Sequence, residues 1–300
     1  MSFDSFKGII PPVPTIFNAE GEFDSDGMGV LIERLVASDV DGLLFLGSAG
    51  EFSQMTNVQR RQVAEFCVKR VAGRKPVIIG TGACGTAEVI ELSEHAAAVG
   101  ADAVIVVNPY YSPMSEERLY RHYRRISESI ELPLLMYNFP ALTGQELTPA
   151  LVKRIAMDCP NVIGIKDTVD CISHIRDLIL QVKGARPDFR IICGYDEYLF
   201  TTLALGGDGA IPGTANFAPE ITCGIYKAFQ NNDMETLTGL LPRLGILAQL
   251  YSLDVPFSWL LKEAVRVTGS DIPTGVAAPA TEPGKEIQER FRKILKQAGF

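Results

Sequence analysis

Residues 161–170 read NVIGIKDTVD, and the way this stretch is read decides the fold. Val162, Ile163 and Ile165 follow one another with almost no polar interruption. A run of that kind, without strict alternation, reads as a strand buried on both faces, which in practice means parallel strands joined by helices. Lys166 enters while the run is still open. A buried lysine is rare, because an ammonium group is costly to remove from water.

Runs of the same type recur along the chain. They are GIIPPVPTIF (8–17), GLLFLG (42–47), PVIIGTG (76–82), DAVIVVNP (102–109), PLLMYNFP (133–140), FRIICGYD (189–196) and GAIPGTA (209–215). Between them lie segments of helical length and pattern near 24–38, 56–72, 86–99, 116–130, 148–157, 171–183, 197–205 and 218–230. Eight strand–helix units within residues 1–230 fit an α/β fold of the closed (β/α)8, or TIM-barrel, type. An open doubly wound sheet fits the same periodicity. Residues 231–300 read as a C-terminal helical extension, and no Ser/Gly-rich linker precedes them, so they are expected to pack on the barrel.

Composition narrows the function. A net charge of -8 over 300 residues opposes binding to nucleic acid or to an anionic membrane surface. No apolar run reaches the length of a membrane span. MSFDSFKGII, at the start, has no basic region followed by an apolar one, so no secretory signal is expected. Cys67, Cys84, Cys159, Cys171, Cys193 and Cys223 are scattered, with no C-x-x-C pair. They read as reduced thiols of a cytoplasmic protein, Cys193 being a core filler.

GTGACG at 80–85 satisfies G-x-G-x-x-G between a strand and a helix. Dinucleotide binding also needs an acidic residue at the end of the next strand, where Asn108 stands instead. A glycine-rich barrel loop is the better reading, and no nucleotide cofactor is expected. His95, His122 and His174 fall in helical segments with no second ligand at metal spacing, so no metal site is expected either.

Polar residues collect at the C-terminal ends of the strand runs, where a barrel places its chemistry. GSAGE (47–51), NPYY (108–111), YNFP (137–140), KDT (166–168), GYDE (194–197) and PGTAN (212–216) would converge on one mouth. Desolvation penalises a charged amine, so a lysine at such a mouth can attack a carbonyl as the free base. The resulting Schiff base is an electron sink. Equally, Lys166 could snorkel to the rim or pair with Asp167. Tyr137 ends the preceding strand, which would bring its hydroxyl near that amine to shuttle protons, although a lone tyrosine is more often a core residue. The turn at Ser48 offers backbone N–H groups to a carboxylate, and Glu51 reads as an acceptor bracing that loop. Carbon–carbon lyases stabilise a carbanion with a metal or with an amine. With no metal-ligand spacing visible, the amine is favoured.

Taken in order, GSAGE, NPYY, YNFP, GIKDT and GYDE resemble the pyruvate-dependent class I aldolases that include dihydrodipicolinate synthase and N-acetylneuraminate lyase. The resemblance covers the whole barrel. It implies an imine between Lys166 and a 2-oxo acid, with no cofactor beyond that covalent link and with Tyr137 as the central acid/base. Ser48 and Tyr111 match the family's proton relay, in which the tyrosine often reaches a neighbouring subunit of a homotetramer built from dimers. The backbone of Ser48 and Ala49 would hold the pyruvyl carboxylate. Gly194, Asp196, Glu197 and Thr168 match positions that line the rest of the substrate pocket.

Three departures bear on the substrate. The pair after strand two is often Thr-Thr in the family but is Ser48-Ala49 here, so one side-chain hydroxyl is missing. The synthase proper carries an arginine where Leu142 stands here, which removes the natural partner of a second carboxylate. Gly213 stands where the neuraminate lyase has a serine for the polyol tail. Asp196 and Glu197 are acceptor-rich and suit sugar hydroxyls. YNFPALTGQELTP, GIKDT and LGGDGAI look most similar to the 2-keto-3-deoxy-sugar-acid aldolase branch. The expected activity is therefore reversible cleavage of such an acid to pyruvate and a short hydroxyaldehyde. A Schiff-base dehydratase stands second, before neuraminate lyase or lysine-pathway synthase activity, and then a non-catalytic barrel that binds 2-oxo acids.

Overall fold

The computed structural model describes residues 6–300; the first five residues of the N-terminal stretch read above as lacking a secretory signal lie outside it. Eight parallel strands make the sheet: β1 (Gly8–Ile9), β2 (Leu43–Phe45), β3 (Val77–Gly80), β4 (Ala103–Val107), β5 (Leu134–Asn138), β6 (Val162–Asp167), β7 (Arg190–Cys193) and β8 (Gly209–Ala210). Their order is β1-β8-β7-β6-β5-β4-β3-β2. The chain leaving β1 then pairs with β2 through a Pro12–Leu44 bridge. Val13 N–H donates to Leu44 O at 2.7 Å and Leu44 N–H to Pro11 O at 3.0 Å. The sheet thus closes on itself, which excludes the open doubly wound alternative.

The run 8–17 is strand only at its start. Pro11, Pro12 and Pro14 have no N–H to give a ladder, so the segment crosses from β8 to β2 through isolated bonds. All residues of β2 to β6 are buried. This matches the near-continuous apolar runs, with the barrel interior on one side and the helical layer on the other.

That layer comprises α1 (Ser25–Ala37), α2 (Asn57–Val71), α3 (Thr86–Ala98), α4 (Glu116–Ser129), the short α5 (Pro140–Thr143), α6 (Pro149–Asp158), α7 (Ile172–Leu178), α8 (Leu199–Ala204) and α9 (Pro219–Gln230). Local chemistry starts several of them. Asp24 and Thr148 accept from the backbone N–H of Gly27 and Leu151, and Thr56 forms a capping box with Gln59. In α4, Leu119, Tyr120, Tyr123 and Ile126 form the buried stripe of an otherwise charged helix.

The extension consists of α10 (Met234–Ala248), α11 (Ser258–Val267) and α12 (Lys285–Ala298). α10 lies along α9, and α11 lies against the turns at Ser48–Gly50 and Gly213–Asn216, over the mouth of the barrel. Arg34 of α1 ties the end of α11 to the turn after β8. Its guanidinium donates to Phe217 O at 2.8 Å, Ser270 Oγ at 2.9 Å, Thr268 Oγ1 at 3.0 Å and Val265 O at 3.2 Å. Among the described residues no helix is long and apolar enough to cross a membrane.

Candidate active site

Strand alternation answers the question raised by Lys166. Successive side chains of β6 point to opposite faces, and Asp167 faces the helices. It accepts from Asn138 Nδ2 at 2.8 Å and meets His174 Nδ1 of α7 at 2.9 Å. Lys166, one residue earlier, therefore faces the barrel interior, 4 % exposed, and lines the cavity at the mouth. Pairing with Asp167 is ruled out by this geometry.

Tyr137 is in register with Lys166 across β5 and β6. The Lys166 nitrogen sits 4.3 Å from the centroid of the Tyr137 ring, and the Tyr137 hydroxyl is 3.3 Å from Ser48 Oγ. Phe139 stacks on the same ring at 5.9 Å and also lines the cavity.

Ser48 and Ala49 open a 3₁₀ turn, Ser48–Gly50. The first N–H groups of such a turn have no partner within it, which leaves them for an anion. The turn is pinned from behind, since Thr15 Oγ1 donates to Gly50 O at 2.8 Å. Glu51 follows in the left-handed region at φ 58. One of its oxygens accepts Ala277 N–H at 2.8 Å and the other lies 2.5 Å from Lys262 Nζ. Lys262, fully buried, also donates to Gly275 O at 2.6 Å. Burial drives the Glu51 carboxyl above its usual range and the Lys262 amine below its own, and each charge opposes the shift of the other. The loop-bracing part read for Glu51 is what its contacts show, but its partner Lys262 sits among apolar residues of the extension with no motif to mark it.

The remaining expected residues divide. Thr168 lines the cavity, and its Oγ1 has no hydrogen-bond partner among the described residues. Gly194 lines it too, for a steric reason: a Cβ there would lie 1.9 Å from Thr168 Oγ1 and 3.2 Å from Lys166 Cε. Asp196 reaches the cavity, but its oxygens are already engaged. Oδ1 accepts Gly213 N–H at 3.0 Å, and Oδ2 accepts Thr214 N–H at 2.8 Å and the Tyr251 hydroxyl at 3.2 Å. Burial raises its carboxyl to about 6, against the pull of the Thr214 and Gly213 hydrogen bonds. Glu197 is exposed, and the cavity is lined without it. Tyr111 is 96 % exposed, at φ 72, and stands outside its own chain's cavity. Leu142 is likewise exposed.

Tyr251 and Phe257, from the extension, line the cavity together with Pro12, Tyr195 and Ile211. Tyr195 belongs to the GYDE segment, but Tyr251 and Phe257 carried no signal in the sequence. Elsewhere, Arg60 donates to the carbonyls of Gly80 and Gly82, which makes the glycine-rich segment a packed barrel loop. Buried His122 meets Thr86 Oγ1 at 2.9 Å and His95 meets Glu65 at 3.0 Å, both in helix packing. His174 packs its helix against the sheet as the buried partner of Asp167. All six cysteines are free.

Residues 5–298 match the Dihydrodipicolinate synthetase family. The chain is 47% identical to YagE of Escherichia coli K12, provisionally assigned as a 2-dehydro-3-deoxy-D-gluconate aldolase, over 97% of each chain. It is 43% identical to YjhH of the same organism, provisionally assigned as a 2-dehydro-3-deoxy-D-pentonate aldolase, over 98% of each. The crystal structure of YagE in complex with pyruvate superposes with a TM-score of 0.96, covering 98% of both chains. Dihydrodipicolinate synthase from Thermotoga maritima, 30% identical, superposes with a TM-score of 0.93 over 98% of this chain and 99% of that one. With a closed barrel, a buried lysine beside a strand-end tyrosine, and a match along nearly its whole length, the chain belongs to the Dihydrodipicolinate synthetase family.

Proposed function

We propose that this protein is a metal-independent Schiff-base aldolase that reversibly cleaves a 2-keto-3-deoxy sugar acid to pyruvate and a short hydroxyaldehyde. The observation that carries the reading is the buried Lys166 amine over the Tyr137 ring, with the Tyr137 hydroxyl in reach of Ser48. The similarity to two provisionally assigned aldolases of this substrate class, and to a pyruvate complex, supports it.

In this reading the Lys166 nitrogen adds to the C2 carbonyl and water leaves, giving an iminium ion. Tyr137 takes the proton of the C4 hydroxyl while handing its own to Ser48 in the relay as the C3–C4 bond breaks. The bonding pair moves into the iminium to form an enamine, and the relay later returns a proton to C3. The aldehyde departs, C3 is protonated, and water releases pyruvate from the lysine. The N–H groups of Ser48 and Ala49 hold the C1 carboxylate, while Thr168 and Gly194 border the chain beyond C3.

Tyr111 completes the proton relay from a neighbouring subunit of a homotetramer, a placement its exposure permits. The six free cysteines support a cytoplasmic location. The test is the intact mass after incubation with pyruvate and sodium borohydride, with Lys166→Ala in parallel. A pyruvate-sized increment in the wild type alone is expected. No increment in the presence of bound pyruvate would refute the Schiff-base mechanism.

A further inference from the structure

The turn after β8 and the extension meet at a single hydroxyl. A Cβ on Gly213 would lie 2.3 Å from the Tyr251 hydroxyl oxygen and 2.8 Å from the ring carbon that bears it. Tyr251 thus occupies the place a side chain at 213 would take. Its ring is held edge-on to Phe257, with centroids 5.2 Å apart.

Its neighbours fix the direction of its hydrogen bonds. An ionised carboxylate accepts only, so Tyr251 donates its one proton to Asp196 Oδ2, 3.2 Å away. The phenol oxygen is left with acceptor capacity. Thr214 Oγ1, at 3.3 Å, can satisfy part of it. Whatever meets the rest from the cavity must bring a proton of its own, as a hydroxyl does. A carboxylate brings none and would lie near the buried charge of Asp196.

We propose that Tyr251 is a specificity-determining residue that accepts a hydrogen bond from a hydroxyl of the departing half of the substrate, so that hydroxyl-ended sugar acids are preferred to carboxylate-ended ones. The inference rests on the aldolase reading. It moves the selection of the aldehyde half from Asp196 itself, whose oxygens are occupied, to the tyrosine that Asp196 orients. It also explains why Gly213 need not weaken the polyol pocket: the hydroxyl absent from position 213 is supplied from position 251.

The experiment is aldol addition of pyruvate to D-glyceraldehyde and to propanal, which has the same carbon chain without the hydroxyls. The ratio of the two kcat/KM values is compared between wild type, Tyr251→Phe and Gly213→Ala. The ratio is expected to fall about tenfold in Tyr251→Phe, the scale of one lost hydrogen bond of this kind. A comparable fall is expected in Gly213→Ala, whose methyl group must displace the ring, so either variant alone decides the matter. Borohydride trapping of the pyruvate adduct is run on the same samples. A ratio that stays put, or equal losses for both aldehydes, overturns the proposal while the adduct keeps the aldolase reading intact. Failure to trap an adduct in the wild type overturns that reading, and this inference with it.

Discussion

Replacing Lys262 with methionine isolates the ion pair behind the Ser48–Gly50 turn. Lys262 is fully buried, 2.5 Å from Glu51 and 2.6 Å from the Gly275 carbonyl. Methionine fills much the same volume but leaves Glu51 as an uncompensated buried charge, a change that costs about 3–5 kcal/mol. For a chain of this size that corresponds to a Tm lower by on the order of 10 °C. The pH dependence separates this cause from lost packing. Burial already holds the Glu51 carboxyl high and Lys262 opposes it, so the variant moves it higher still. The penalty is then present in full above that raised value. It fades as pH falls toward the unfolded value of about 4.3, because the folded chain takes up a proton that the unfolded chain does not. Thermal denaturation of wild type, Lys262→Met and the double variant Glu51→Gln/Lys262→Met across pH 5 to 9 is the assay. The single variant should converge on wild type in acid, and the double variant should regain most of the loss at every pH. A deficit that is independent of pH, with no recovery in the double variant, would refute the electrostatic account.

Three further outcomes are expected. Gly194→Ala places a methyl group 1.9 Å from Thr168 Oγ1 and 3.2 Å from Lys166 Cε, so it should cost about 1–3 kcal/mol of stability and sharply reduce borohydride trapping; undiminished trapping would show that the amine does not depend on this clearance. Burial pulls the His174 imidazole down, but the hydrogen bond and charge of Asp167, with Glu146, more than offset it and hold its pKa above the ordinary value. The stabilisation it gives is therefore complete below the unfolded value of about 6.5 and is lost as pH rises through the folded one, and His174→Gln should flatten that segment of the stability profile. Tyr111→Phe should lower kcat about a hundredfold with little change in Tm if this exposed residue serves a neighbouring subunit's relay, and equal turnover would remove it from the relay.

The barrel and its central pair were legible because they depend on periodicity and strand-end position. The expected helix 116–130 is Glu116–Ser129, and Lys166 and Tyr137 meet because parallel neighbours in register bring strand ends together. The early end of β1 was written in three prolines whose missing donors outweigh the β-branched residues around them. Other features left no mark in the sequence. Asp196 is occupied by the backbone N–H groups of residues 213 and 214, and backbone donors look alike at every position. Tyr251 and Phe257 sit in an ordinary apolar tail and reach the cavity only because α10 and α11 fold back over the mouth.

In the aldolase reading, that folding back divides the substrate between two parts of the gene. The pyruvate half falls to β2, β5 and β6, where the lysine, the tyrosine and the carboxylate turn are fixed by sheet register. The aldehyde half, past Thr168 and Gly194 at the ends of β6 and β7, meets the turn after β8 and a tail that no strand constrains. Drift or design confined to the codons for residues 211–257 could therefore exchange one aldehyde for another while the imine chemistry is inherited unchanged, and a library aimed at new acceptors would start there.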